Sequence, residues 1–265
     1  MSDKSELAEL PTEDDIHIFK LYKSRYTLNK YGKMSLTPNP LFKSSLNMIC
    51  KSKPVLDIGC AFGYTSKLLL DHGYKVIAND LDQRHLDNLV KSLDSDNEQK
   101  SRLELKQGNI NEIDFEEGSL SAILGFNVMH FMTGNEIRNL FQKFFKWLAP
   151  NGILILSCAS PYILKDHNYL KKFYDNYHNK IEWPGVCKTN ELLSSDEISI
   201  GQYWINRLPD NFHFLSSEIL SREALLGGFS IFKVEYFDEN ENGYVEINHH
   251  QQRSDVGIVC IKDSF

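Results

Sequence analysis

The sequence has few cysteines and no long apolar run, and both absences narrow the classes of protein to which it can belong. Its five cysteines are scattered, odd in number and without a Cys-x-x-Cys pair, which disfavours a disulfide framework or a zinc ribbon. No run of about 18 apolar residues occurs, so no membrane-spanning helix is predicted. Residues 1–15 are polar and contain no apolar signal core. We therefore expect a reduced, cytoplasmic protein with no membrane partner.

The sequence has fewer positively than negatively charged side chains. The chain has 29 Lys and Arg against 36 Asp and Glu, which gives a formal net charge of −7. Proteins dedicated to nucleic acids usually present a basic face, so we expect no nucleic-acid partner. The 265 residues, of which 42% are hydrophobic, are enough to bury a core without disulfide or metal support.

Apolar runs of strand type alternate with amphipathic stretches along most of the chain. Strands are predicted at residues 53–59, 74–79, 103–107, 120–126, 153–156, 230–237 and 256–261. Helices are predicted at residues 66–71, 81–93, 136–148 and 221–226. This alternation predicts an α/β fold with a seven-stranded, mostly parallel sheet and helices on both faces. No helix separates the last two strands, so they are expected to form a C-terminal antiparallel hairpin.

Two regions depart from this alternation. Residues 15–49 carry helical spacing interrupted by Pro38 and Pro40, which predicts a helical cap segment over residues 1–50. A single domain is expected over residues 51–265, with an insertion at about residues 160–212. The insertion is polar and rich in aromatic rings, which either line a pocket or form a small core of their own. The rings that stand out are Tyr162, Tyr169, Phe173, Tyr174, Tyr177, Trp183, Tyr203 and Trp204.

A glycine loop follows the first of these strands and opens the first helix, reading VLDIGCAFGYT over residues 55–65. Glycines there let the backbone approach a bound ligand, and ligands of open α/β sheets bind at the carboxyl ends of strands. A nicotinamide dinucleotide needs glycines at the first, third and sixth loop positions. Ala61 and Tyr64 occupy the third and the sixth, which disfavours a dehydrogenase.

The loop resembles the D-x-G-x-G-x-G motif of class I S-adenosylmethionine (SAM)-dependent methyltransferases, with Ala61 at the middle glycine. Other segments resemble later motifs of the family in the same order. They are Val76–Asp80, Gly108–Ile110, Phe115–Leu124, Asn127–Phe131 and Trp147–Gly152. The resemblance covers residues 55–228, most closely fits the small-molecule members of the family, and implies a Rossmann-like fold. It also implies SAM as the cofactor and S-adenosylhomocysteine (SAH) as the product.

The resemblance assigns roles to particular residues. In the family, the acidic residue that ends the second strand holds the ribose hydroxyls, and here that residue is Asp80. Asn109 stands where the adenine is contacted, and Asp57 where the loop or the ammonium group of the cofactor is oriented. Tyr26 belongs to a preceding segment that often folds over the cofactor in such proteins. The cofactor-binding residues implied are Tyr26, Asp57, Gly59, Cys60, Ala61, Gly63, Tyr64, Asp80, Leu81, Asn109, Ile110 and Asn127.

Two histidines are candidates for a catalytic base. His130 follows the fourth strand, near the expected position of the methyl group, and His213 precedes the late helix on the substrate side. A neutral imidazole accepts a proton from an attacking hydroxyl or amine. The alternative for His130 is a ring that packs beside the cofactor and moves no proton. His249 and His250, in the terminal hairpin, are expected in a solvated loop rather than at a metal.

These observations favour a SAM-dependent methyltransferase that methylates an oxygen or nitrogen of a small-molecule acceptor by in-line displacement. The residues 160–212 then correspond to the place where family members commonly carry a substrate lid. The protein is expected to be a monomer or a homodimer. Two alternatives remain open: a protein methyltransferase, and a non-catalytic SAM-binding regulatory module.

Overall fold

The computed structural model describes residues 24–29, 31–93, 97–163, 167–189, 209–237 and 254–264. The strands within this part of the chain number eleven, and three of them coincide with the predicted bounds. They are β1 Ser24–Tyr26, β2 Lys33–Ser35, β3 Val55–Ile58, β4 Val76–Asp80, β5 Leu103–Gln107, β6 Leu120–Phe126, β7 Leu148–Ala159, β8 Val186–Lys188, β9 Asn211–His213, β10 Ser230–Phe237 and β11 Asp255–Ile261.

Seven of these strands form one sheet in the order β10-β11-β7-β6-β3-β4-β5. Strands β7, β6, β3, β4 and β5 are mutually parallel, whereas β11 runs antiparallel to both β7 and β10. This arrangement confirms the predicted mostly parallel sheet with a C-terminal antiparallel pair. The chain winds outward in opposite directions from β3 and β6, so a crevice forms where these two strands end.

Helices cover both faces of the sheet. They are α1 Pro40–Ser45, α2 Tyr64–Asp71, α3 Gln83–Ser92, α4 Asn97–Ser101, α5 Gly134–Trp147, α6 His167–His178 and α7 Ser217–Leu226. The helix α5 begins with a capping box, in which Thr133 accepts from the Glu136 amide and the Glu136 carboxylate accepts from the Thr133 amide. The side chain of Asp82 caps α3 by accepting from the Arg84 amide at 3.0 Å.

The core lies in two layers, one on each face of the sheet. On one face, Phe141, Phe144 and Trp147 of α5 are buried together with residues of α7. On the other face, Leu41 of α1 packs with Leu69 and Leu70 of α2. Every residue of β3 and β4 is buried, as expected for parallel strands that are covered on both sides.

The prediction of a helical segment before β3 is wrong for part of the described chain. Strands β1 and β2 pair antiparallel, with Tyr26 opposite Lys33. Among the described residues before β3, only α1 and a short turn after it are helical. The turn between these strands is closed by a hydrogen bond from the Thr27 amide to the Gly32 carbonyl at 3.1 Å. The glycine has a φ of +81°, a left-handed conformation that interrupts helical periodicity. We call residues 24–29 and 31–35 the ribbon.

The described part of the insertion folds on itself and against α5 and α7. Its buried rings Tyr169 and Phe173 pack with Cys187 and with Phe214 just beyond it. Trp183 packs against Gly134 at the start of α5. These contacts favour a small core for the described rings over a pocket lining, while Tyr203 and Trp204 lie outside the described residues. Among the described residues, no helix is both long and apolar enough to cross a bilayer.

Candidate active site

The glycine loop adopts a backbone that only small residues allow. Gly59, Ala61 and Gly63 have φ values of +61°, +47° and +78°. A Cβ atom at Gly59 would lie 2.5 Å from Val128, and one at Gly63 would lie 2.4 Å from Leu89. The loop is therefore pressed against neighbouring side chains while its backbone faces the crevice, and the left-handed Ala61 is the single non-glycine in this arrangement.

Asp80 ends β4 and is joined to the loop through its carboxylate. Its Oδ2 accepts from the Ala61 amide at 2.8 Å, and its Oδ1 accepts from the Asp82 amide at 2.9 Å. The side chain is almost fully buried, with its residue 6% exposed. The carboxylate is thus held in one orientation at the edge of the crevice by backbone donors from two loops.

A histidine that the sequence reading did not single out completes this arrangement. His85, in the first turn of α3, has its Nδ1 2.9 Å from Asp80 Oδ1, and its Nε2 accepts from the Leu28 amide at 2.8 Å. A pattern in the sequence does mark His85, because it lies on the first turn of a helix that follows an acidic strand end. Its partner Leu28 is 57 residues away, so no local signal indicates the contact.

Asp57 is the penultimate residue of β3 and is more deeply buried than Asp80. Its Oδ2 accepts a hydrogen bond from the Ser66 hydroxyl at 2.6 Å, and the residue is 2% exposed. Burial raises the pKa of Asp57 from its ordinary 3.8 to about 7, although the Ser66 hydrogen bond acts in the opposite direction. A cation placed beside such a carboxyl favours its ionised form. Carboxyl groups with shifted pKa values are frequent at ligand-binding sites.

One cavity of about 250 Å³ lies at the carboxyl ends of β3, β4, β5 and β6. Ten of the residues predicted to bind the cofactor form part of the wall of this cavity, which we call the lower wall. They are Asp57, Gly59, Cys60, Ala61, Tyr64, Asp80, Leu81, Asn109, Ile110 and Asn127. The rest of its wall comes mainly from the ribbon and from the segment after β6, including Thr27, Asn29, Tyr31, Lys33, Met34, Phe126, Phe131 and Met132.

Two predicted cofactor residues do not line this cavity. Gly63 lies behind the loop, at the residue that caps α2, where its left-handed φ leads the chain into the helix. Tyr26 is buried in β1, and its neighbours Thr27 and Tyr31 reach the cavity instead.

His130 is buried beside the cavity and does not line it. Its Nδ1 accepts from the Ala159 amide at 3.2 Å, and its ring lies against Phe131 and Phe212 at centroid distances of 4.1 and 5.8 Å. Burial lowers the pKa of His130 from 6.5 to about 3. This geometry favours the packing role that the sequence left as an alternative.

His213 is also buried outside the cavity wall. Its Nδ1 lies 3.3 Å from the Met132 carbonyl, which can only accept, so Nδ1 is the donor. Its ring packs on the edge of Trp183, and burial lowers its pKa to about 4. The structure gives the base role of His213 no geometric support. His249 and His250 lie outside the described residues.

The described residues of the insertion contribute nothing to the wall of the cavity. The ribbon, which lines the cavity, belongs to the segment that the resemblance implied would fold over the cofactor. Tyr31 contacts Phe131 edge to face, with ring centroids 5.2 Å apart, and so joins the ribbon to the segment after β6. For residues 190–208 the role of a lid stays a prediction.

Comparisons with known proteins show which families and folds this chain resembles. Residues 55–152 match a family described as a methyltransferase domain. A protein of Mycolicibacterium smegmatis, described as a probable SAM-dependent methyltransferase, is 23% identical over 108 residues, or 41% of this chain and 38% of that protein. The chain therefore aligns with well under half the length of this curated relative.

Two solved structures resemble the whole described fold. A SAM-dependent methyltransferase from Methanosarcina mazei has a TM-score of 0.61 at 16% identity, covering 86% of this chain and 99% of that chain. A glycopeptide N-methyltransferase in complex with SAM has a TM-score of 0.58 at 14% identity, covering 96% and 99%. At these identities the similarity shows a shared fold.

Proposed function

We propose that this chain is a class I, Rossmann-like, SAM-dependent methyltransferase that methylates a small-molecule acceptor. The methyl group would pass by in-line displacement to an oxygen or nitrogen atom. The observation that carries the proposal is the Asp80 carboxylate, which the Ala61 amide of the glycine loop holds at the cavity wall.

The residues of the cavity fit SAM. A carboxylate has about four lone-pair positions, and the Ala61 amide, the Asp82 amide and His85 take three at Asp80. Acceptor capacity is left for a ribose hydroxyl. The buried Asp57 matches a ligand ammonium group, because such a partner would compensate the cost of ionising it. Gly59 lets the loop pack against Val128, and Gly59 itself lines the cavity.

When bound, SAM supplies a methyl group that a positive sulfur has already activated. The residues of this chain then have to hold the donor and the acceptor in line and to exclude water. Asp80 and Asp57 would fix the two ends of the donor, and Phe126 and Phe131 would supply apolar wall near the crevice. Since neither His130 nor His213 lines the cavity, we propose that neither of them acts as the base.

The enclosure of the cavity supports a small acceptor over a polypeptide. The ribbon covers the crevice, and the wall beyond the cofactor residues combines apolar groups such as Met34 and Phe131 with polar ones such as Asn29 and Lys33. A small molecule with one apolar face and a hydroxyl or amine group suits such a wall. Amines belong in any screen, because one neighbour of similar fold is described as an N-methyltransferase of a glycopeptide.

Calorimetric titration with SAM and SAH, with NAD as the control ligand, tests the proposal. We expect micromolar binding of SAM and SAH by the unaltered protein. Asp80→Asn replaces an acceptor oxygen by a donor group, so affinity should fall at least about tenfold. Asp87→Asn, an exposed carboxylate on α3, is the matched control and should bind normally.

Other outcomes would contradict parts of this reading. Binding of NAD in place of SAM would overturn the cofactor assignment. Tight SAM binding without SAH production from any hydroxyl or amine acceptor would favour the non-catalytic module. SAH production with peptides alone would favour the protein methyltransferase.

A further inference from the structure

The ribbon is attached to α3 and the glycine loop by three contacts that lie together. The Leu28 amide donates to His85 Nε2 at 2.8 Å, and the Leu28 carbonyl accepts from Arg84 at 2.8 Å. Arg25 lies over the Phe62 ring, with its guanidinium carbon 3.6 Å from the centroid. Phe62 in turn packs edge to face on His85 at 4.9 Å. His85 is thus the residue on which the ribbon rests.

The partners of His85 decide which form of its ring fits the structure. A backbone amide can only donate, so Nε2 must be unprotonated to accept from Leu28. The proton of the neutral ring is then on Nδ1, which donates to Asp80 Oδ1 at 2.9 Å. A second proton on Nε2 would face the Leu28 amide and break the contact. The attached ribbon is therefore compatible only with a neutral His85 that donates to Asp80.

We propose that His85 is a positioning residue that couples attachment of the ribbon to binding of the cofactor at Asp80. The inference rests on the proposed function, because Asp80 is the carboxylate assigned to the ribose. With the ribbon attached, His85 stays neutral, fixes the rotation of the carboxylate and leaves its negative charge to the ligand hydroxyls. With the ribbon detached, the buried ring loses its hydrogen-bond partner at Nε2. The rotation of the Asp80 carboxylate is then no longer fixed by His85.

The coupling acts in both directions. Asp80 and the ribbon residues Asn29 and Tyr31 all line the cavity, so one ligand bound there can contact both ends of the link. A ligand that binds more tightly to the attached ribbon must, by thermodynamic linkage, hold the ribbon in place. SAH binding is therefore expected to protect the ribbon from hydrogen exchange through His85.

Two substitutions separate the two hydrogen bonds of His85. His85→Asn places an amide donor near the position of Nδ1 and so keeps the bond to Asp80, but it has no atom that reaches Leu28. His85→Gln places an acceptor oxygen near the position of Nε2 and so keeps the bond to Leu28, but it lacks the donor to Asp80. His72→Asn is the control, because His72 is an exposed histidine at the end of α2.

SAH titration and hydrogen–deuterium exchange of peptides covering β1 and β2 are the measurements. We expect SAH to slow exchange of the ribbon in the unaltered protein and in His72→Asn. In His85→Asn this slowing should be lost, and SAH affinity should fall about five- to tenfold because one linking hydrogen bond is missing. In His85→Gln the ribbon should stay protected without ligand, while SAH affinity falls by a similar factor.

The position of the proton on the His85 ring gives a second readout. Nitrogen-15 spectra of the SAH complex should show His85 as the neutral tautomer with its proton on Nδ1, the signal being identified by its loss in His85→Asn. An imidazolium, or a proton on Nε2, in that complex would overturn the inference.

The results also separate this inference from the proposed function. If the unaltered protein does not bind SAH, the proposed function fails and the coupling fails with it. If it binds SAH and His85→Asn binds equally well with the same ribbon protection, only the coupling is overturned. Loss of affinity in His85→Asn with full ribbon protection by SAH would also overturn the coupling.

Discussion

Asp57 is the residue whose burial has the clearest consequence for stability. Its raised pKa of about 7 means that the folded, unliganded protein binds this proton more tightly than the unfolded chain does. The contribution of Asp57 to stability is then fully present below its ordinary pKa of 3.8 and is lost as pH rises through about 7. At neutral pH the unliganded protein therefore carries a cost that a ligand cation would relieve.

Asp57→Asn should remove that cost and weaken SAM binding at the same time. The amide oxygen still accepts from the Ser66 hydroxyl, so the local geometry is kept. Relative to the unaltered protein, we expect the variant to gain on the order of 2 kcal/mol of unfolding free energy between pH 5 and pH 8. Denaturant unfolding at both pH values measures this. Exposed Asp87→Asn is the control, and a difference that does not change with pH would refute the burial argument.

His130 is a residue type suited to acting as a base, but its geometry favours a packing role. Because burial lowers its pKa to about 3, the ring does not titrate between pH 5 and pH 9. We expect His130→Asn, whose side-chain oxygen can still accept from the Ala159 amide, to lose about 1–3 kcal/mol of stability with the ring contacts. Thermal unfolding measures that loss.

The pH–rate profile of SAH formation by the same variant tests the base role. We expect kcat within about fivefold of the unaltered enzyme and a profile of unchanged shape, since removal of a general base typically costs about 100-fold or more. A large loss of kcat together with loss of the acid limb of the profile would restore His130 as the base. His213→Asn provides the parallel comparison.

At the scale of elements, the described part of the insertion is docked by one aromatic ring between two helices. Trp183 lies between Arg138 of α5 and Arg222 of α7, whose guanidinium carbons are 5.2 and 4.7 Å from the ring centroid. The buried carboxylate of Glu223 accepts from both arginines at 2.9 and 2.7 Å. These contacts fix the insertion to the scaffold at a place apart from the cavity wall.

Gly134→Ala should undock this element, because a Cβ atom there would lie 2.1 Å from the Trp183 ring. We expect a loss of about 1–3 kcal/mol of stability, faster proteolysis near Trp183 and a shifted tryptophan emission. SAH affinity should stay within about twofold, since the described insertion does not line the cavity. Asn135→Ala, at the exposed neighbouring position, is the control. A parallel loss of SAH affinity would show that the insertion contributes to the site.

At the scale of the molecule, the order of the sheet places the site. The strands β3 and β6 are neighbours, and the chain leaves them in opposite directions, so their ends open a crevice between loops. Asp57 and Asn109 are more than 50 residues apart in the chain but line the same cavity, because the parallel strands end at the same edge of the sheet. The location of the protein in the cell and its oligomeric state stay predictions.

The strands of the sheet and most residues of the lower cavity wall could be predicted because their signals are local. Buried parallel strands are continuous apolar runs, a glycine loop must follow the first of them, and Asp80 stands at the end of the second. The ribbon could not be predicted in the same way. Its strands have three residues each, and their pairing depends on contacts with Phe62, His85 and Phe131, which lie far along the chain.

The spacing of residues within the chain was therefore enough to predict the fold class and the glycine loop, and the family resemblance implied most side chains around the proposed cofactor. The tertiary structure decided which groups close the cavity and which protonation state each of them has. The high pKa of Asp57, the packing role of His130 and the hydrogen bond between His85 and Leu28 all depend on burial by distant segments. Burial and long-range contacts change the free energy of a charged group or a hydrogen-bond donor. Neither can be inferred from the spacing of residues in the sequence.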